Sequence, residues 1–264
     1  MTPDDDAVRV ELRAEALWIT LNRPAAMNAL SPRMLDRLDA ALVQAAEDPA
    51  VRTVVVTGTG TAFCAGADLK AVRHEISSDP GGLRRFVEGA AATMNRLEAL
   101  PKPVIAAVNG LALAGGFEIV LACDLVIASE QAKLGDAHIN FALLPGGGSS
   151  VRLPRKVGPN LAKYLLFSGE SLPASAFLGG GFVQQVVPPH ELIDATDRLA
   201  TGLAKKSPLA LKRMKQLVDA GLDQPRQSAL LLELVASEAH FTSHDMHEGL
   251  AAFDERRPPC FLGR

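Results

Sequence analysis

The sequence predicts an α/β protein whose short strands alternate with helices and whose final quarter is mainly helical. Three observations carry that expectation. Apolar runs of strand length recur at residues 16–21, 53–57, 104–108 and 125–128. Helical periodicity fills much of the chain between them. From Pro188 onward, amphipathic segments near 190–205, 208–220 and 225–240 succeed one another without a strand pattern. With 264 residues, 48% hydrophobic and 22% charged, the chain can bury a large core. A core over 1–195 and a helical region over 196–264 are expected.

Residues 8–12 and 16–21 read as paired strands. Ser31-Pro32 then caps a helix through about Glu47, with apolar residues at Met34, Leu35, Leu38, Ala41, Leu42 and Ala45. A buried strand at 53–57 leads into the loop GTGTAFCAGADLK, and a polar, mobile stretch over 74–82 precedes a helix over 80–100. A strand (104–108), a glycine-containing loop, a buried helix (117–123) and a short strand (125–128) follow. Residues 135–150 form a glycine-rich loop, and 151–168 are largely helical.

Composition excludes several classes. A formal charge of −3, with no basic run interleaved with aromatics, gives no case for nucleic acid. The apolar run 103–124 is interrupted by Asn109, Glu118, Asp124 and three glycines, so it is not a membrane span. The start, MTPDDDAVRV, lacks the basic and apolar regions of a signal peptide, and a soluble cytoplasmic protein is expected. Three cysteines without CxxC spacing suit reduced thiols. The pair Gly58 and Gly60 follows a strand as a dinucleotide fingerprint would, but Phe63 holds the third glycine position. No P-loop and no GxSxG elbow is present. His240, His244 and His247, at i, i+4 and i+7 beside Asp245 and Glu248, have a spacing that could bind zinc. A polar face on a C-terminal helix is the plainer reading, and no metal is expected.

Glu118 is the one carboxylate in the run PVIAAVNGLALAGGFEIVLAC. Burying it is costly unless something compensates or uses it. Gly115-Gly116 opens the helix that bears it, so free N–H groups and a positive dipole end would face a pocket. In FCAGADLK, the small residues 65–67 let the main chain approach a ligand. Two such N–H groups converging on a carbonyl oxygen would make an oxyanion hole. Taken alone, Glu118 is as readily a mere dipole partner.

The ordered series LNRPAAMNAL (21–30), AFCAGADLK (62–70), KPVIAAVNGLALAGGFEIVLACDLVIAS (102–129), LPGGG (144–148) and FTSHDMHEGLAAFDERRPP (241–259) resembles the crotonase superfamily, the enoyl-CoA hydratase/isomerase family. The resemblance implies a spiral of ββα units with a C-terminal helical trimerisation region, as a homotrimer or a dimer of trimers. It implies an acyl-CoA thioester substrate, with no cofactor beyond the CoA that the substrate carries. It puts the oxyanion donors at Ala67 and Gly115, and substrate contacts at Ala65, Asp68, Leu69, Lys70 and Gly116. Of the two catalytic glutamates of family hydratases, one matches Glu118 and the other aligns with His138. Hydration of a 2-enoyl-CoA is the leading expectation. A double-bond isomerase, a C–C bond hydrolase and a catalytically weak acyl-CoA-binding member are the alternatives. Pocket walls are expected from 71–90 and from Phe141, Ala142 and Leu143. Ala114 stands where many members carry a third glycine, which is harmless only if that residue needs no positive φ.

Overall fold

The computed structural model describes residues 6–79 and 81–264. The expected start of a helix at Pro80 and the first five residues of the acidic N-terminus lie outside them. The chain opens as an antiparallel hairpin, β1 (Val8–Arg13) and β2 (Ala16–Leu21). After α1 (Pro32–Glu47), three successive units each place one strand in a large sheet and the next in a small one. These are β3 (Thr53–Gly58) with β4 (Ala62–Cys64), β5 (Val104–Val108) with β6 (Leu111–Leu113), and β7 (Leu125–Ser129) with β8 (Lys133–Gly135). The small sheet ends with β9 (Leu172–Pro173) and the large sheet with β10 (Gln185–Val187), giving orders β4-β6-β8-β9 and β1-β2-β3-β5-β7-β10. This is the ββα spiral.

Helices α2 (Leu69–Ser78) and α3 (Gly82–Glu98) follow the first unit, and α4 (Gly115–Ala122) the second. Then α5 (Ser149–Val157) and α6 (Pro159–Ser168) follow the third. Val54, Val56, Val104, Ala106 and Val108 point into the main core, while Val55, Ile105 and Ala107 pack on the opposite face. That face is covered by Leu192, Ala195 and Ala200 of α7 (Leu192–Ala204). Both faces are therefore dry, which is why these strands read as unbroken apolar runs. The chain ends in α8 (Pro208–Leu222), α9 (Arg226–His240) and α10 (His244–Asp254).

Local signals set α1 closely: Ser31 accepts from the Met34 N–H, Pro32 sits in the first turn, and the six expected apolar residues are all buried. Two expectations need correction. The segment after Gly58 is not all loop, because it holds β4 and the start of α2. The loop after Val108 holds β6. The stretch 151–168 is largely helical as expected, in two helices divided at Gly158, whose φ of +82° and following proline break the ladder.

Candidate active site

Ala67 is positioned by a clamp. Leu30 donates to the Gly66 carbonyl (2.7 Å) and accepts from the Asp68 N–H (2.9 Å), a single parallel bridge opposite Ala67. Strand alternation then turns the Ala67 N–H away from Leu30. The Gly115 N–H, at the first position of α4, has no intrahelical acceptor. Among the described residues neither N–H donates to a protein group. A methyl group added at Gly115 would lie 3.8 Å from the Ala67 nitrogen, so the two donors border one space.

The peptide that presents the Gly115 N–H is held by strain. Ala114 has φ +47° and ψ −119°, so the positive φ that would make its methyl harmful is present after all. Ala114→Gly is expected to raise unfolding stability by about 1 kcal/mol, read by chemical denaturation, since glycine adopts this conformation without the Cβ penalty.

Glu118 lies one turn into α4 and is 3% exposed. Its Oε1 accepts from the N–H groups of Gly147 (2.8 Å) and Ser149 (3.1 Å). Its Oε2 faces His138 Nε2 at 4.0 Å. The far ring nitrogen, Nδ1, is 3.0 Å from Asp136 Oδ1. Burial pushes the Glu118 carboxyl above the ordinary carboxylate range; the Ser149 N–H and the nearby His138 only partly offset it. For His138 burial acts against the cation, but the hydrogen bond and charge of Asp136, with the charge of Glu118, outweigh it and raise the imidazole above its usual value.

The loop that binds Glu118 is itself braced. Arg152 of α5, nearly buried, donates to the Gly147 carbonyl (2.6 Å), to Asn95 Oδ1 (2.7 Å) and to both carboxylate oxygens of Glu98. Gly147 thus offers its N–H to Glu118 while its carbonyl oxygen is tied to a cation.

Ala67, Gly115, Glu118 and His138 line one cavity of about 210 Å³. Its other walls are apolar: Leu69 and Val72 of α2, Phe86, Ala90 and Met94 of α3, and Leu143. A larger cleft of about 560 Å³ lies behind residues 146–148 and touches neither Glu118 nor His138. Of the expected contacts, Leu69 lines the cavity, whereas Ala65, Asp68, Lys70 and Gly116 do not. Asp68 pairs with Arg23 at 3.0 Å, and Gly116 packs on Cys64. Phe141 and Ala142 are not wall residues either; Phe141 is 63% exposed.

Sequence reasoning missed Asp136, the Gly147 and Ser149 donors, and Arg152. For Asp136 a signal existed, since it stands two residues before His138. The three C-terminal histidines do not share a helix: α9 ends at His240, and Ser243 caps α10 anew. His240 bonds Arg213, and among the described residues no three His, Cys, Asp or Glu side chains gather as a metal site would. No helix among them is long and apolar enough to cross a membrane.

The sequence profile of the enoyl-CoA hydratase/isomerase family matches residues 11–264. The 2,3-dehydroadipyl-CoA hydratase of Escherichia coli K12 is 39% identical, over 97% of this chain and 98% of that protein. The short-chain-enoyl-CoA hydratase of Clostridium acetobutylicum is 36% identical, over 95% of each. The crystal structure of enoyl-CoA hydratase from Bacillus anthracis superposes with a TM-score of 0.93 at 37% identity, covering 98% of this chain and all of that one. Matched in sequence and fold along nearly its whole length, the chain belongs to the enoyl-CoA hydratase/isomerase family of the crotonase superfamily.

Proposed function

We propose that this enzyme adds water to a 2-enoyl-CoA thioester to give a 3-hydroxyacyl-CoA. The observation that carries this reading is the opposition of Glu118 Oε2 and His138 Nε2 across 4.0 Å, in an apolar cavity bordered by two free main-chain donors. Glu118 takes a proton from water, and the water oxygen bonds to C3. The π electrons move onto the thioester oxygen, whose growing charge meets the N–H groups of Ala67 and Gly115. Collapse of that enolate takes a proton onto C2 from His138 Nε2. One proton passed from the Glu118 carboxyl to the imidazole restores both groups. No cofactor enters this scheme, because CoA arrives with the substrate.

Both shifts suit these roles: burial makes Glu118 a stronger base, and the flanking carboxylates favour the protonated form of His138. Activity requires Glu118 ionised and His138 protonated. The expected pH dependence of kcat/KM is therefore a bell, rising above the ordinary Glu value of about 4.3 and falling above the ordinary His value of about 6.5. A fall centred below that histidine value would contradict the assignment.

The test of the reaction is a panel of 2-enoyl-CoA esters and 1,3-diketones followed by mass spectrometry. Gain of one water supports hydration. An unchanged mass with a moved double bond means isomerisation, a split product means cleavage, and binding without conversion means a catalytically weak member; each of these overturns it.

The active form is a homotrimer or a dimer of trimers. What supports this is the apolar surface of α8 and α9, neither of which holds a buried residue. Met214, Val218, Leu222, Leu230, Leu231 and Leu234 are each more than half exposed. Leucines in such numbers are rarely left wet. Light scattering should give three or six chains, and the double variant Leu231→Arg/Leu234→Arg should give one; a monomeric parent would remove the idea.

A further inference from the structure

We infer that Asp136 is a positioning residue for the reaction, holding the His138 ring in the tautomer that carries its proton on Nδ1 and turns Nε2 toward Glu118 and the cavity. The inference rests on the reading of His138 as a reacting group. Asp136 follows directly on β8, and His138 opens a short 3-10 turn two residues later. Ala137 between them, at φ −10° and ψ +2°, has left the extended conformation of β8, and this tight turn brings Oδ1 and Nδ1 together at 3.0 Å. The side chain of Asp136 is 1% exposed and that of His138 12%. Among the described residues the remaining Asp136 oxygen, Oδ2, has no hydrogen-bond partner.

That last fact separates this carboxylate from a structural one in the same chain. Asp245, equally buried, accepts from Ser207 Oγ and from the Leu262 and Gly263 N–H groups, so both its oxygens are engaged in tying down the C-terminus. Asp136 makes no such attachment. Its one partner among the described residues is an imidazole, and a buried carboxylate with an orphaned oxygen is costly unless a charge-assisted bond offsets it. A protonated His138 supplies that bond. The charged groups acting on the ring are Asp136, from the end of β8, and Glu118, from α4. With Nδ1 committed to Asp136, only Nε2 is left to face the cavity, and proton traffic runs through one defined atom.

The test is nitrogen-15 NMR of the histidine rings in the whole protein, with His138 assigned by its absence from the His138→Gln spectrum. In the unaltered protein the neutral His138 ring should carry its proton on Nδ1. In Asp136→Asn the ring midpoint should fall by about one pH unit or more, and the alkaline limb of kcat/KM should fall with it. Turnover should drop about tenfold or more while KM stays within about twofold, since Asp136 does not line the cavity. A neutral ring protonated on Nε2 in the unaltered protein would overturn the inference even if Asp136→Asn failed to fold. So would an Asp136→Asn variant with an unmoved alkaline limb, when His138→Gln abolishes turnover. If His138→Gln itself retains turnover, it is the hydration reading of His138 that fails first, and the positioning role falls with it.

Discussion

Glu118→Gln is expected to lower kcat by about 10²–10⁴-fold while leaving acyl-CoA affinity within a few fold. The amide keeps the shape and an acceptor oxygen for the Gly147 and Ser149 N–H groups, so the loop and the cavity persist. What it loses is the capacity to take a proton. Stability should move the other way. In the folded chain Glu118 holds its proton to higher pH than in the unfolded chain, so between those two values the native state binds more protons and stability declines as pH rises. Above that window the buried charge costs stability, and the Glu118→Gln variant should melt at or above the parent's temperature at neutral pH. A helix-dipole partner predicts the reverse: removal of the charge would cost about 0.3–1 kcal/mol and leave kcat alone. Steady-state kinetics with a 2-enoyl-CoA and one melting curve distinguish the two.

Glu118 was legible because its chemistry is local: a lone carboxylate in an apolar run, behind two glycines that open a helix. The same holds for α1, whose cap, proline and six core residues lie within one stretch of sequence. Strands of two or three residues, such as β4, β6, β8 and β9, carry too few positions to show a period, and only their pairing across the spiral defines them. Gly147 and Ser149 stand 29 and 31 residues from the carboxylate they bind, so no spacing rule connects them. Asp136 stands only two residues from His138, but their meeting depends on the turn at Ala137 that follows β8. The segment near 225–240 reads as amphipathic, but no pattern within one chain states whether another chain covers its apolar side.

Gly116→Ala and Gly115→Ala, neighbours in one helix, are expected to fail for opposite reasons. A Cβ at Gly116 would stand 2.0 Å from the Cys64 carbonyl oxygen and 2.7 Å from the carbonyl carbon. Both are backbone atoms of β4, so α4 must move off the small sheet rather than a side chain swing aside. Overpacking of this kind costs about 3 kcal/mol, the upper end of its usual range. For a chain of this size that is a fall of roughly 6–12 °C in Tm. The same movement displaces the Gly115 N–H and Glu118 together, and a displacement near 1 Å costs about 10² in rate. At Gly115 the nearest atom is the tip of Leu30, at 3.0 Å, which can turn away. Its stability should therefore change by less than about 1 kcal/mol. The added methyl instead enters the space beside the Ala67 nitrogen, where the thioester oxygen is proposed to sit. Gly115→Ala should keep its Tm and lose kcat/KM, whereas Gly116→Ala should lose both. A Gly115→Ala enzyme with undiminished kcat/KM would show that the oxygen lies elsewhere, and a Gly116→Ala protein melting like the parent would show that α4 and β4 are not in the close contact on which the site depends.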